Sequence, residues 1–215
     1  MAKRILFQGD SITDCGRKRD DDRSVGTGYA FMVKGQLGAE APGEYEFFNR
    51  GISGNRIVDV YARIKQDIIN LKPDYMSLLI GVNDVWHELG GWCNGVSAEK
   101  FEKIYDMLIG EILEALPDLK IMIFLPFVLE GVNTQATEEE ADRWENFRTQ
   151  VPLRAAAAER VARKYGIPFV TLQDKFDEAV KSAPVSHWLW DGVHPTAMGH
   201  WIIKEAWMNA FKELK

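Results

Sequence analysis

The chain has 215 residues, 46% of them apolar and 27% charged, and a net charge of −6 from 26 Lys and Arg against 32 Asp and Glu. That balance fits a single globular domain over residues 1–215 and excludes a disordered chain; the acidic surface it implies excludes a nucleic-acid partner, whose phosphates reward a basic face. A membrane partner is excluded too: the longest apolar stretch, Ile121–Leu129, is far short of the roughly 20 residues a spanning helix needs, and Pro126 interrupts it.

In chain order, Met1-Ala2-Lys3-Arg4 leads straight into Ile5-Leu6-Phe7, a run too short for a signal-peptide core. Short apolar runs at Arg4–Gln8, Tyr45–Asn49, Tyr75–Ile80, Lys120–Leu125 and Ile167–Leu172 predict five buried strands. Between them, amphipathic spacing predicts helices at about Tyr29–Glu40, Ile57–Asn70, Ala98–Leu116 and Glu138–Tyr165. Pro152 is expected to kink or divide the last of these. Gln173–Lys181 and a final helix at about Ala197–Leu214 follow the fifth strand. Strands that alternate with helices and are apolar throughout imply a parallel sheet covered on both faces. The expected fold is therefore α/β, a three-layer α/β/α sandwich with about five strands.

With only Cys15 and Cys93 there is no disulfide framework. One bridge is possible, but two free thiols in the cytoplasm are expected.

Four polar groups fall directly after predicted strands, at the edge where parallel sheets carry their ligands. Gly9-Asp10-Ser11 follows the first strand. A Ser at a strand-to-helix turn exposes its hydroxyl and aims its N–H at the same point, which suits a nucleophile, although Asp or Ser there also serves simply as a helix cap. Thr13 stands where the second Gly of a Gly-x-Ser-x-Gly elbow would be, so that motif is absent. Asn49-Arg50-Gly51-Ile52-Ser53-Gly54 follows the second strand, and Gly81-Val82-Asn83-Asp84 the third; glycines there admit a ligand close to the backbone, and an Asn amide offers a neutral donor. Asp191-Gly192-Val193-His194-Pro195 lies near the C-terminus. Three residues of turn can return the imidazole to the carboxylate, leaving Nε2 free as a base. Each group alone is an ordinary turn; together they supply a nucleophile, a base, an orienting acid and oxyanion donors.

This set resembles the SGNH hydrolase superfamily, the GDSL-type esterases and lipases, with its four blocks in order over almost the whole chain. The wording Gly9-Asp10-Ser11-Ile12-Thr13-Asp14, Ser53-Gly54-Asn55 and Ile80-Gly81-Val82-Asn83-Asp84-Val85-Trp86 is most similar to the bacterial GDSL acetylxylan esterases. The resemblance implies a flavodoxin-like SGNH fold and ester hydrolysis with Ser11 as nucleophile, His194 as base and Asp191 as its partner. It implies an oxyanion hole formed by the Ser11 and Gly54 N–H groups and the Asn83 amide. No metal or organic cofactor is required. It further implies homo-oligomers, with the loop at Phe127–Thr137 available for subunit contacts.

Other residues have plainer readings. Cys15 lies near Ser11 but has no obvious base, and His87 reads as a loop residue. His187, His194 and His200 are spaced by seven and six residues, which fits no common helical metal pair. Asp10, Asp14 and Asp84 could shape the site or simply cap turns, and Asp10 is carried forward as a substrate-side candidate. Of seven tryptophans, Trp201 and Trp207 read as packing on the last helix, while Trp86 and Trp190 adjoin catalytic blocks and are expected to wall the pocket. The substrate that emerges is a small ester, acetyl on a carbohydrate such as an acetylated xylo-oligosaccharide. A lysophospholipase, a thioesterase and a broad arylesterase are the alternatives within the superfamily. A flavodoxin-type cofactor domain is disfavoured by the lack of a Gly-x-Gly-x-x-Gly or Walker A run, and a non-catalytic module by the intact Ser11, His194 and Asp191.

Overall fold

The computed structural model describes residues 2–214. Its centre is a five-stranded sheet in the order β2-β1-β3-β4-β5, formed by β1 (Lys3–Gly9), β2 (Tyr45–Asn49), β3 (Tyr75–Leu79), β4 (Lys120–Phe124) and β5 (Phe169–Val170). Every pairing is parallel, with Phe7 opposite both Asn49 and Ser77, and Leu79 opposite Phe124. Side chains alternate across the sheet with the strand period of two. Ile5, Phe7, Tyr75, Leu79, Met122 and Phe124 face one buried cluster, while Leu6, Met76, Leu78, Ile121 and Ile123 face the other.

Helices cover both faces. α1 (Ser11–Asp14) is a single turn after β1, and α2 (Tyr29–Glu40) precedes β2. α3 (Ile57–Ala62), α4 (Asn83–Trp86), α5 (Ala98–Ala115) and α6 (Arg143–Lys164) follow, then α7 (Gln173–Ala179), α8 (Val185–Trp188) and α9 (Ala197–Leu214). α2 and α9 pack on the first face through Val33, Leu37, Ile203, Trp207 and Phe211. α3 and α5 pack on the second through Ile57, Val60, Phe101, Leu108 and Ile112. This is the expected three-layer sandwich.

The departures from the sequence reading are local. β5 is two residues long rather than the six of Ile167–Leu172, because Pro168 has no N–H to donate to the ladder and the chain turns into α7 at Gln173. The segment read as one helix over Ile57–Asn70 closes at Ala62 and continues as a wider π turn, Lys65–Ile69. Arg63 occupies the break, donating to Asp67 at 2.7 Å and to the Asp59 carbonyl at 3.1 Å, while Ile64 and Ile68 stay in the core. α6 begins at Arg143 rather than Glu138 and runs undivided through Pro152. No helix among the described residues is long and apolar enough to cross a membrane.

The topology places the site. β2 lies on one side of β1 and β3 on the other, so the connections leaving β1 and β3 diverge and open a crevice at their C-terminal ends. Ser11 follows β1 there, and Asn83 follows β3.

Candidate active site

Ser11 is the first residue of α1, and Asp10 caps that turn by accepting from the Ile12 N–H at 3.0 Å. From the other end of the chain, Leu189 and Pro195 pair as an antiparallel bridge, and the Trp190 N–H donates to the His194 carbonyl at 2.7 Å. The turn so closed carries Asp191 and His194. His194 Nε2 lies 2.8 Å from Ser11 Oγ, and His194 Nδ1 lies 2.8 Å from Asp191 Oδ2. Asp191 Oδ1 accepts from the Val193 and His194 N–H groups at 3.0 and 2.8 Å. Burial alone would raise the Asp191 carboxyl; these bonds outweigh it and hold the group well below the usual carboxylate range. The bond to Asp191 in turn holds His194 above its ordinary value, against the opposing effect of burial. Serine, imidazole and carboxylate thus form one line suited to moving a proton off Ser11 Oγ.

An open cleft of about 330 Å³ lies over Ser11, lined by Ser53, Gly54, Asn83, Trp86, His87, Trp92 and His194. Gly54 has φ +82°, a conformation that favours glycine, and it leaves the cleft clear: a Cβ there would meet nothing closer than His87 Nε2 at 3.9 Å. The Ser11 and Gly54 N–H groups have no hydrogen-bond partner among the described residues, and Asn83 Nδ2 donates to the Asn55 carbonyl at 3.1 Å. Ser11, Gly54 and Asn83 all line this cleft.

Three buried carboxylates brace this frame. Asp14 Oδ2 accepts from the Ser53 N–H at 2.9 Å and from Ser53 Oγ at 3.1 Å, tying α1 to the loop that carries Gly54. Asp84 accepts from the Ile57 N–H, 3.1 and 3.2 Å from its two oxygens, tying α4 to the start of α3. Asp10 uses Oδ1 for its cap, and its buried Oδ2 has no partner among the described residues. Burial pushes Asp10 and Asp84 each up to about 7, in Asp10 against the Ile12 hydrogen bond and the charge of His194. Asp10 is buried beneath the serine turn and is not among the residues lining the cleft.

Trp86 lines the cleft with its ring 5.9 Å from that of His194. Trp190 does not line it: Leu189 points into the core, the next side chain in this extended segment faces outward, and Trp190 is 68% exposed. The wall is completed instead by His87 and Trp92, packed edge-on with ring centroids 4.9 Å apart. Burial and nearby Arg56 hold His87 below its ordinary value, so it lines the cleft as a neutral ring. The position of His87 directly after Trp86 was its one signal in the sequence. Asn133 had none, yet its Nδ2 donates to Asp191 Oδ2 at 3.1 Å.

Cys15 is partnered after all. Its Sγ lies 3.3 Å from His200 Nε2, but His200 Nδ1 accepts from the Tyr29 N–H at 3.1 Å. That bond fixes the tautomer with the proton on Nε2, so His200 donates to the thiol and is no base for it. Burial holds His200 down to about 4, which keeps the ring neutral. Both cysteines are free thiols. Among the described residues, no three His, Cys, Asp or Glu side chains come together as metal ligands.

The chain is similar to several known proteins. The GDSL-like Lipase/Acylhydrolase family matches residues 7–202. An acetylxylan esterase of Geobacillus stearothermophilus is 32% identical over 213 residues, covering 96% of this chain and 93% of the relative. The crystal structure of that species' acetylxylan esterase Axe2 superposes with a TM-score of 0.83 at 33% identity, covering 97% of this chain and 93% of the other. A GDSL-like protein of Parabacteroides merdae superposes with a TM-score of 0.89 at 35% identity, covering 100% and 98%.

Proposed function

The chain belongs to the GDSL-like lipase/acylhydrolase family and is a carboxylic ester hydrolase, and from that premise we propose a serine esterase that removes short acyl groups, chiefly acetyl, from carbohydrate alcohols such as acetylated xylo-oligosaccharides. One observation carries the reading: Ser11 Oγ, His194 and Asp191 stand in sequence at 2.8 and 2.8 Å, beside N–H groups of Ser11 and Gly54 that have no partner among the described residues.

Ser11 Oγ attacks the ester carbonyl as His194 Nε2 takes its proton, and Asp191 stabilises the imidazolium. The carbonyl oxygen becomes an oxyanion held by the Ser11 N–H, the Gly54 N–H and the Asn83 amide, each contributing on the order of 3 kcal/mol to the transition state. His194 returns the proton to the departing alcohol, leaving Ser11 acylated. Water, deprotonated by His194, then attacks the acyl-enzyme, and collapse of the second tetrahedral intermediate frees the acid and the serine.

The preference for a short acyl group is supported by the cleft, which at about 330 Å³ is near the lower end of ligand pockets and is walled by Trp86, His87 and Trp92. The sugar is supported by those same rings, which offer flat faces, and by the acetylxylan esterase relative. The reading includes a cytoplasmic setting, supported by the two free thiols, and a homo-oligomer, supported by the exposed Trp190, Trp201 and Met198. Light scattering at micromolar concentration checks the last point, and a monomer contradicts it.

Rates for aryl esters of increasing acyl length, measured beside acetate release from acetylated xylo-oligosaccharides, test the substrate. A cleft limited on one side by Trp86, His87 and Trp92 loses rate beyond acetyl or propionyl, since each misfit against those rings costs about 1–3 kcal/mol. Rates that climb from acetyl to octanoyl, at about 0.8 kcal/mol per buried methylene, contradict the proposal and indicate a lipase or lysophospholipase.

A further inference from the structure

The loop between β4 and α6 does more than connect them. Its residues 129–134 are zipped onto the segment that carries Asp191: the Leu129 N–H donates to the Gly192 carbonyl at 2.8 Å, and the Asn133 N–H to the Asp191 carbonyl at 3.1 Å. The two backbones touch at Gly131 and Gly192, where a Cβ on Gly131 would lie 2.5 Å from Gly192 N and one on Gly192 would lie 2.3 Å from Thr134 Oγ1. Asn133 also holds the Asp191 side chain, since its Nδ2 donates to Oδ2, the oxygen that faces His194 Nδ1.

Asn133 is itself clamped. Arg143, the first residue of α6, donates from Nε to the Asn133 carbonyl at 2.7 Å. Its Nη1 pairs with Glu140, whose Oε1 accepts from the Gly90 N–H in the loop that carries Trp92. Its guanidinium lies 5.8 Å from the Trp86 ring and 5.5 Å from the Phe147 ring, and the side chain is only 12% exposed. A cation enclosed by two rings and two acceptors is a fixed point. It connects the loop under Asp191, the cleft wall at Trp86 and, through Glu140, the loop bearing Trp92.

We propose that Asn133, clamped by Arg143, is a positioning residue that fixes the Asp191 carboxylate against His194. This rests on the reading of Ser11, His194 and Asp191 as the triad. The groups facing His194 are Asp191 from its own turn, Ser11 Oγ from α1, Asp10 from the cap of α1, His200 from α9 and the Trp86 ring. Those facing Asp191 are His194, the Val193 and His194 N–H groups and Asn133. Asn133 is the one side chain other than His194 that donates to this carboxylate among the described residues. By drawing on the same oxygen, it shares the charge that would otherwise act wholly on the imidazolium. Removing the amide concentrates that charge on His194, which then holds its proton to higher pH.

The test compares wild type with Asn133→Ala and Arg143→Met. For an aryl acetate, Asn133→Ala moves the acid limb of kcat/KM upward by about half a pH unit and lowers kcat roughly 2- to 10-fold with KM unchanged, the scale of one solvent-accessible hydrogen bond. Arg143→Met, which keeps apolar cover over Trp86, moves the limb the same way by less. The His194 imidazole titration, read by NMR in a Ser11→Ala background, shows the same shift without needing turnover. A His194 titration identical in the presence and absence of Asn133→Ala overturns the proposal. If the titration shifts but wild type cleaves no ester, the positioning role stands and the triad reading falls.

Discussion

The Asn83 side-chain amide donates to the Asn55 carbonyl at 3.1 Å, joining the turn after β3 to the loop after β2. Each side supplies one proposed oxyanion donor, so the bond sets the spacing between the Asn83 amide and the Gly54 N–H. One amide hydrogen is committed to Asn55, and the second is available to the cleft. Asn83→Ala removes a donor and loosens the loop that carries another. It lowers kcat by roughly 10²–10³-fold, the usual effect of losing one oxyanion donor, with a smaller change in KM. Steady-state kinetics on an aryl acetate check this, and an unchanged kcat contradicts it.

The hydrogen bond His194 donates to Asp191 holds the imidazole above the ordinary histidine value, and only the neutral ring can take a proton from Ser11. Activity is therefore lost as pH falls through the His194 pKa. The acid limb of kcat/KM lies above pH ~6.5, the unperturbed value. Asp191→Asn removes that support and lowers kcat by about 10⁴-fold, as loss of the carboxylate does in serine proteases. A profile flat from pH 5 to 8 would point to a different base.

Cys15 lies one helical turn from Ser11 and beside a histidine, yet His200 is committed as a donor by the Tyr29 N–H. Cys15→Ala accordingly leaves kcat near wild type and costs less than about 1.5 kcal/mol of stability, the worth of one modest hydrogen bond. Kinetics and urea melts check both parts. A large loss of kcat in a folded variant contradicts the assignment of His200 as donor.

What was legible in the sequence was whatever local pattern encodes. The apolar runs located β1 to β4 to within a residue at either end, because two-sided burial demands near-continuous apolar strands. The glycine and polar groups after β1, β2 and β3 marked the edge where the cleft lies. The one-turn helices α1, α4 and α8 were not legible, since four residues carry no helical period. The place of Trp190 in the chain, beside Asp191, suggests a wall, but burial of Leu189 turns it outward. Asn133 and Arg143 were invisible because their role depends on contact with Asp191 and Trp86, 58 and 57 residues away.

Asp10 and Asp84 are raised to about 7 by burial, against about 3.9 for Asp in an unfolded chain. Between those values the folded protein binds more protons than the unfolded one, so their contribution to stability is full below pH ~4 and is lost as pH rises to about 7. Asp191 has the opposite sign, and its contribution is lost as pH falls below about 4. The urea midpoint therefore declines from pH 5 to pH 8. In Asp10→Asn, whose amide oxygen still caps Ile12, the decline is shallower. Equal slopes in the two proteins contradict the raised Asp10.

The central claim is that Ser11 Oγ is the atom acylated during turnover, and mass spectrometry of enzyme quenched during hydrolysis of an aryl acetate tests it most directly. The account predicts one acetyl group on the peptide carrying Ser11, and no adduct and no detectable turnover in Ser11→Ala of unchanged melting temperature. Undiminished turnover in Ser11→Ala, or an acetyl group carried on Cys15 instead, would contradict it.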